Sequence, residues 1–297
     1  GADVPLDPET ASGFPGHGAD DMGTLYVVST PIGNLDDISS RARTVLDQVD
    51  AVVVEDTRRA GQFFQHLGIR ASFVAYHEHN ERERTPALVA RLEAGEDLAL
   101  TSDAGTPLIS DPGYRLVRAA HQAGISVSPI PGTSALLAAL AAAGLPTDEF
   151  HFQGFPPSRG AAREQTIRAL AHRRCTSVVY EAPHRLPGLL QALESEAGPE
   201  REVVLARELT KRFETLITGT LAEVRARVDA ERDQRRGEMV VVLAGAPEAE
   251  VTDETLEPLA RELLRELPAS RAARVLAAWS GRPRRELYRW LDALNDA

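Results

Sequence analysis

The 297-residue chain has one cysteine, Cys175, one lysine, Lys211, and no long uninterrupted apolar stretch. A lone thiol makes no internal disulfide and cannot by itself build a thiolate zinc cluster, so a reducing compartment is expected. No run approaches the ~18 apolar residues of a membrane helix. The acidic start (Asp3, Asp7, Glu9, Asp20, Asp21) is the reverse of a signal peptide's basic n-region. A cytoplasmic protein with no membrane partner is the expectation. With a single lysine outside any glycine-rich loop, the Walker A motif is missing and a P-loop NTPase is excluded. No Gly-x-Gly-x-x-Gly follows the first predicted strand, which removes the dinucleotide fingerprint and the glycine motif of common Rossmann methyltransferases.

What is present is ordinary globular material, 43% hydrophobic and 26% charged, in a chain longer than one typical domain. The net charge of -11 argues against a nucleic-acid partner until its distribution is considered. Between Arg271 and Arg289 six arginines meet one acid, Glu286, and between Arg159 and Arg185 six meet only Glu164 and Glu181. Local basic patches hold phosphates over about a Debye length, ~10 Å, whatever the net charge; solvated helix faces would give the same pattern.

Residues 1–22 lack apolar periodicity and read as a disordered extension or a remnant foreign to the fold. Residues 23–143 alternate β-branched runs with amphipathic stretches, which predicts an N-terminal αβα domain with parallel strands. Residues 144–247 form a second αβ unit whose strands lie closer together, so hairpins and a mixed sheet are expected. Residues 248–297 carry three amphipathic runs, a compact helical module.

In an open parallel sheet, ligands bind beyond the carboxyl ends of the strands. Two such turns are rich in Gly, Pro, hydroxyls and Asp: Thr30 to Asp37 after the first strand and Ser102 to Pro107 after the fourth, the latter continuing through Ser110 to Gly113. Pro131 to Ala135 adds a helix N-terminus with two hydroxyls. Each turn alone could be a simple helix cap; together on one sheet edge they predict a pocket. Glu55-Asp56-Thr57-Arg58-Arg59 reads equally as a general base beside a phosphate clamp or as Asp56 capping a helix and pairing Arg59. His77 and His79 would share a strand face, but a metal site needs a further spaced ligand and no metal is expected. Phe155 beside Arg159 is a candidate stacking and phosphate contact for RNA, or else a core plug.

In chain order, TPIGN (30–34), EDTR (55–58), YHEHNE (76–81), SDAGTPLISDPG (102–113), PGTSA (131–135), GFPP (154–157), YEAPHR (180–185), ARELTKRFE (206–214) and GEMVVVLAG (237–245) resemble the bacterial 16S ribosomal RNA cytidine 2′-O-methyltransferases that act at the decoding centre, within the tetrapyrrole-methylase superfamily. The resemblance runs from about Gly23 to Gly245 and more weakly through the C-terminal helices. It implies an α/β fold of two αβα domains of the tetrapyrrole-methylase type, S-adenosylmethionine in the cleft between them, a helical C-terminal appendage and a homodimer. It places the cofactor against Pro31, Gly33, Asp103, Gly105, Thr106, Pro107, Thr133, Ser134, Tyr180, Ala206 and Met239. Glu55, Asp56, Arg58, Arg207 and Lys211 fall on motifs around the acceptor site. The chain departs from the family pattern at Thr133, where proline is usual, and at Arg159, where lysine is common.

Ribose methylation needs in-line alignment and a proton acceptor. Glu55, Asp56, Glu181 and Lys211 are the catalytic candidates, with Lys211 acting either through its charge or as a neutral base. Arg58, Arg159, Arg163, Arg185, Arg207, Arg284 and Arg285 are candidates to hold 16S rRNA, free or in the 30S subunit. The alternatives are methylation of a tetrapyrrole precursor or protein side chain on the same fold, or a non-catalytic ribosome-binding protein with a vestigial cleft.

Overall fold

The computed structural model describes residues 22–109, 113–231, 236–247 and 252–295. The extension expected over 1–22 thus lies outside the described residues except for Met22, as do Ser110, Asp111 and Pro112 of the fourth-strand turn. The chain divides into two compact units, Gly1–Ala246 and Pro247–Ala297.

The first unit holds two five-stranded sheets. One contains β1 (Thr24–Val28), β2 (Ala51–Val54), β3 (Phe73–Ala75), β4 (Leu98–Leu100) and β5 (Ser126–Ile130), all parallel, in the order β3-β2-β4-β1-β5. Strands buried on both faces must be apolar throughout, and Ala51–Val54 is buried at every residue. Helices α1 (Ser40–Gln48) and α2 (Thr57–Leu67) bring Val45, Leu46 and Phe64 onto Tyr26, Val52 and Val54. On the opposite face α3 (Glu81–Glu93) and α4 (Tyr114–Gln122) bring Leu88, Leu92 and Leu116 onto Leu25, Val53 and Leu98. The helices that follow the neighbouring strands β1 and β4 therefore leave to opposite faces. Their diverging turns open a crevice at that point, the usual ligand position of such sheets.

The second sheet has β6 (Phe150–Gly154), β7 (Thr176–Glu181), β8 (Glu202–Arg207), β9 (Thr215–Thr220) and β10 (Met239–Leu243) in the order β6-β7-β10-β8-β9. Only β6 and β7 are parallel; the rest pair antiparallel, giving the mixed sheet that the short spacings predict. One face carries α6 (Ala161–His172), α7 (Leu186–Ala197) and α8 (Leu221–Ala230), with Leu170, Leu189 and Val224 packed on Val179, Leu205 and Val241. The alternate residues Val178, Val204 and Val242 meet Leu136, Ala139 and Leu140 of α5 (Ala135–Ala142), as a two-residue strand repeat requires. Ile32, from the turn after β1, joins this same cluster, so the two sheets share apolar packing beside the crevice.

In the second unit, α9 (Asp253–Glu266), α10 (Ala269–Ser280) and α11 (Arg284–Asn295) enclose Leu256, Ala272, Leu276, Leu287 and Leu291. No helix among the described residues is long and apolar enough to cross a membrane.

Candidate active site

The turns after β1, β4 and β5 are laced together by hydroxyl and backbone bonds. Thr30 and Gly105 exchange backbone hydrogen bonds, N–H to O of 2.9 and 3.0 Å. Ser29 Oγ lies 2.9 Å from Thr106 Oγ1, which donates to the Thr133 carbonyl at 2.9 Å. The Thr133 hydroxyl in turn donates to the Thr30 carbonyl, a bond the family's proline could not make. The three turns singled out in the sequence are thus one preformed wall.

Facing that wall are the ends of β7, β8 and β10. The register sets Tyr180, Val240 and Ala206 side by side on one face and Glu181, Met239 and Arg207 on the other. The Tyr180 hydroxyl accepts the Leu136 amide at 3.0 Å, so the second sheet itself satisfies one of the free amides at the start of α5. Phe152 and Phe155 meet the Tyr180 ring edge-on at 5.0 and 5.6 Å. Between wall and sheet lies a cavity of about 520 Å³, within the usual range for a small-molecule site.

Of the expected cofactor residues, Asp103, Gly105, Thr106, Ser134, Tyr180, Ala206 and Met239 line this cavity. Pro31, Gly33, Pro107 and Thr133 do not; Pro107 is buried behind the turn and Thr133 braces it. Gly105, at φ +85°, could carry a side chain only with strain, and its Cβ would stand 3.2 Å from Ile32 Cγ2. The sequence reading did not assign a role to Ile32, Ala135, Leu209, Glu238 or Val240, which also line the space. The four apolar ones gave a signal indistinguishable from core, and Glu238 stood without a role inside the 237–245 motif. Arg59 was missed in a different way. It pairs not with Asp56 but with Asp103, at 2.9 Å, across the cavity mouth.

The acid and base candidates have separate fates. Asp56 accepts the amides of Arg58 and Arg59 at 2.8 and 3.2 Å and caps α2. The Arg59 and Arg58 amides hold its carboxyl below the usual range, which makes it a poor proton acceptor. Glu181 has both oxygens engaged, Oε2 by Arg163 at 2.8 Å, and Oε1 by Arg185 and by the Ala182 amide at 2.9 and 2.8 Å. Lys211 donates to Glu208 and Glu238 at 3.1 and 3.2 Å. Burial alone would lower its pKa, but the hydrogen bonds and charges of Glu208 and Glu238 outweigh burial and raise it, so the ammonium stays protonated. Its stem lies over Gly33, where a Cβ would come within 2.5 Å of Lys211 Cγ. Glu55, at the end of β2, lines the cavity directly.

Among the expected RNA contacts, Arg58 and Arg159 are exposed on the first unit, and Arg284 and Arg285 on the second. Arg207 is buried and donates to the Arg236 carbonyl at 3.1 Å. His77 and His79 meet ring to ring at 5.9 Å. No group of three His, Cys, Asp or Glu among the described residues could hold a metal ion.

Residues 24–225 match the family model of tetrapyrrole (corrin/porphyrin) methylases, and residues 249–294 match the RsmI C-terminal HTH domain. The chain is 51% identical over 270 residues to a ribosomal RNA small subunit methyltransferase I of Pseudomonas aeruginosa, covering 90% of this chain and 95% of that protein. To the protein of the same name from Xylella fastidiosa it is 47% identical, covering 90% of this chain and 98% of the relative. The solved uroporphyrin-III C-methyltransferase of Thermus thermophilus, complexed with S-adenosylhomocysteine, shares the fold at a TM-score of 0.51 and 18% identity, over 75% of this chain and 97% of that one.

Proposed function

The chain belongs to the tetrapyrrole methylase family, in the branch of the ribosomal RNA small subunit methyltransferases I, and from that premise we propose that it transfers a methyl group from S-adenosylmethionine to the 2′-hydroxyl of a cytidine in the decoding centre of 16S rRNA. The observation that carries this reading is the cavity of about 520 Å³ built from the family's own motif turns, in a chain 51% identical over 90% of its length to a ribosomal RNA small subunit methyltransferase I.

The residues fit the cofactor. Ile32, Ala135 and Val240 offer an apolar wall for an aromatic base, Asp103 and Thr106 offer acceptors for ribose hydroxyls, and Gly105 leaves room where a Cβ would stand. When bound, S-adenosylmethionine supplies a methyl group activated by its sulfonium charge. The chain's own work is then to align the acceptor ribose and receive its proton. Glu55 lines the cavity directly from the end of β2, beside the first-sheet turns, and it receives the proton. Lys211, held cationic by two carboxylates, offsets the negative charge of Glu208 and of the cavity-lining Glu238, which would otherwise oppose ionisation of the hydroxyl, and does not act as a base. Arg58 and Arg159 contact phosphates from the first unit, and Arg284 and Arg285 from the second. The working form is a cytoplasmic homodimer, as the family resemblance implies.

The test is transfer of label from S-adenosylmethionine to 30S subunits, naked 16S rRNA, tetrapyrrole precursors and protein acceptors. Label in 30S subunits or 16S rRNA, and not in the other acceptors, is expected. Label only in a tetrapyrrole or protein would replace this reading by another methylase of the same fold. Cofactor binding without any transfer would leave a ribosome-binding protein.

A further inference from the structure

One carboxylate at the cavity has no place in the proton path and yet organises two cations. The Glu181 side chain is wholly buried at the end of β7, where an ion is tolerated only if its lone pairs are used. They are used by Arg163 Nη2 at 2.8 Å, Arg185 Nε at 2.9 Å and the Ala182 amide at 2.8 Å. The two arginines come from separate segments, the first turn of α6 and the turn before α7. Arg163 also donates through Nη1 to the Pro157 carbonyl at 3.0 Å, which fixes the Gly154–Pro157 turn to the same carboxylate. The arginine side chains remain partly open to solvent, 13% for Arg163 and 29% for Arg185, and the trio keeps a net positive charge.

We propose that Glu181 is a positioning residue, holding Arg163 and Arg185 as a preformed clamp for the RNA phosphate next to the target ribose. The proposal rests on the reading given above. Glu181, Ala182 and Pro183 line the cavity in succession and Arg185 follows two residues later, so the guanidiniums held on Glu181 stand beside its rim. The phosphate on the neighbouring 3′-oxygen is the anion that a ribose entering 2′-hydroxyl first carries with it. Guanidiniums anchored on one edge present their remaining N–H groups in fixed directions, which suits a phosphate, and less ordering is left for the moment of binding.

The experiment compares wild type with Glu181→Gln, Arg185→Ala and the double variant. It reads KM and kcat on 30S subunits across pH, affinity for 16S rRNA across salt, and cofactor affinity by calorimetry. Glu181→Gln should raise KM and the RNA dissociation constant about tenfold, the loss of one charge-assisted contact. The cofactor affinity and the shape of the pH profile should match wild type. Arg185→Ala should do the same, and the double variant should lose less than the product of the two. If Glu181→Gln does not fold, Arg163→Ala replaces it in the cycle. A fall in kcat with loss of the acidic limb of the pH profile would make Glu181 a proton carrier and overturn the proposal. Weakened cofactor binding with unchanged RNA affinity would assign the clamp to the cofactor's carboxylate and also overturn it. RNA affinity is read without turnover, so a wild type that transfers no label would sink the functional reading while the clamp is still judged on its own.

Discussion

Lys211 ties the loop between β8 and β9 to the strand β10 side and to the turn after β1. Its ammonium bridges Glu208 and Glu238, while its stem leaves no room for a Cβ at Gly33 in the first cavity turn. Burial pushes the Glu208 carboxyl up, but the Glu238 amide and the Lys211 ammonium pull it down further, so the net shift is downward. A lowered carboxyl stabilises the fold above its ordinary value of 4.5 and loses that stabilisation as pH falls through its folded value. The raised Lys211 stabilises below its ordinary 10.5 and loses the contribution as pH rises through its folded value. The melting difference between wild type and Lys211→Met should therefore be widest between those limits and shrink on both sides. Pairs this exposed contribute about 1 kcal/mol or less. Turnover should fall about tenfold, as for loss of one oriented charge, with cofactor affinity nearly unchanged. Equal turnover would remove Lys211 from the chemistry. The sequence located this lysine and left its charge state open, because protonation follows from Glu208 and Glu238, and the latter is 27 residues away. Asp103 and Ser134 were legible as cavity residues from their turns, whereas the Arg59–Asp103 pair spans 44 residues and left no local mark.

At the scale of the element, the α2 cap separates structure from chemistry. Asp56→Ala should cost about 1 kcal/mol, the usual value of an N-cap, read as a lower melting temperature. Asp56→Asn should keep both the cap and the activity. Loss of turnover in a stably folded Asn variant would return Asp56 to the proton path in place of Glu55. Helices and strands were legible as elements because burial imposes its period on each. Met239–Leu243 and Ala51–Val54, continuous apolar runs, are strands buried at every residue. Strand ends were less so, since β9 runs on to Thr220 only because Glu202 of β8 pairs with it. Sheet order was not legible: β10 enters between β7 and β8, and nothing in its own residues names those neighbours.

For the whole molecule, the second unit should supply a salt-sensitive share of RNA affinity. One face of α10 exposes Arg271, Arg274, Val275 and Trp279, the last 67% exposed. Among the described residues no carboxylate pairs with Arg271, Arg274 or Arg285, whereas Arg282 is held by Asp253 and Glu286. Cations with an open aromatic are the usual equipment for RNA phosphates and bases. Replacing Arg271 and Arg274 by glutamate should weaken binding to 30S subunits and reduce the slope of log affinity against log salt by about 2. An unchanged slope would remove this face from RNA binding. The arginine excess was visible in the sequence; which arginines stay available was not, because it depends on helix spacing and on acids from another helix.

All of this requires that the crevice between the two sheets of the first unit take up S-adenosylmethionine. Titration calorimetry of the folded chain with S-adenosylmethionine and with S-adenosylhomocysteine tests it most directly, set beside Gly105→Val, which places branched carbon against Ile32 in a backbone conformation that strains it. The account predicts saturable heat with both ligands for wild type and none for a Gly105→Val protein that still unfolds cooperatively. No heat from wild type, or undiminished heat from the variant, would contradict it.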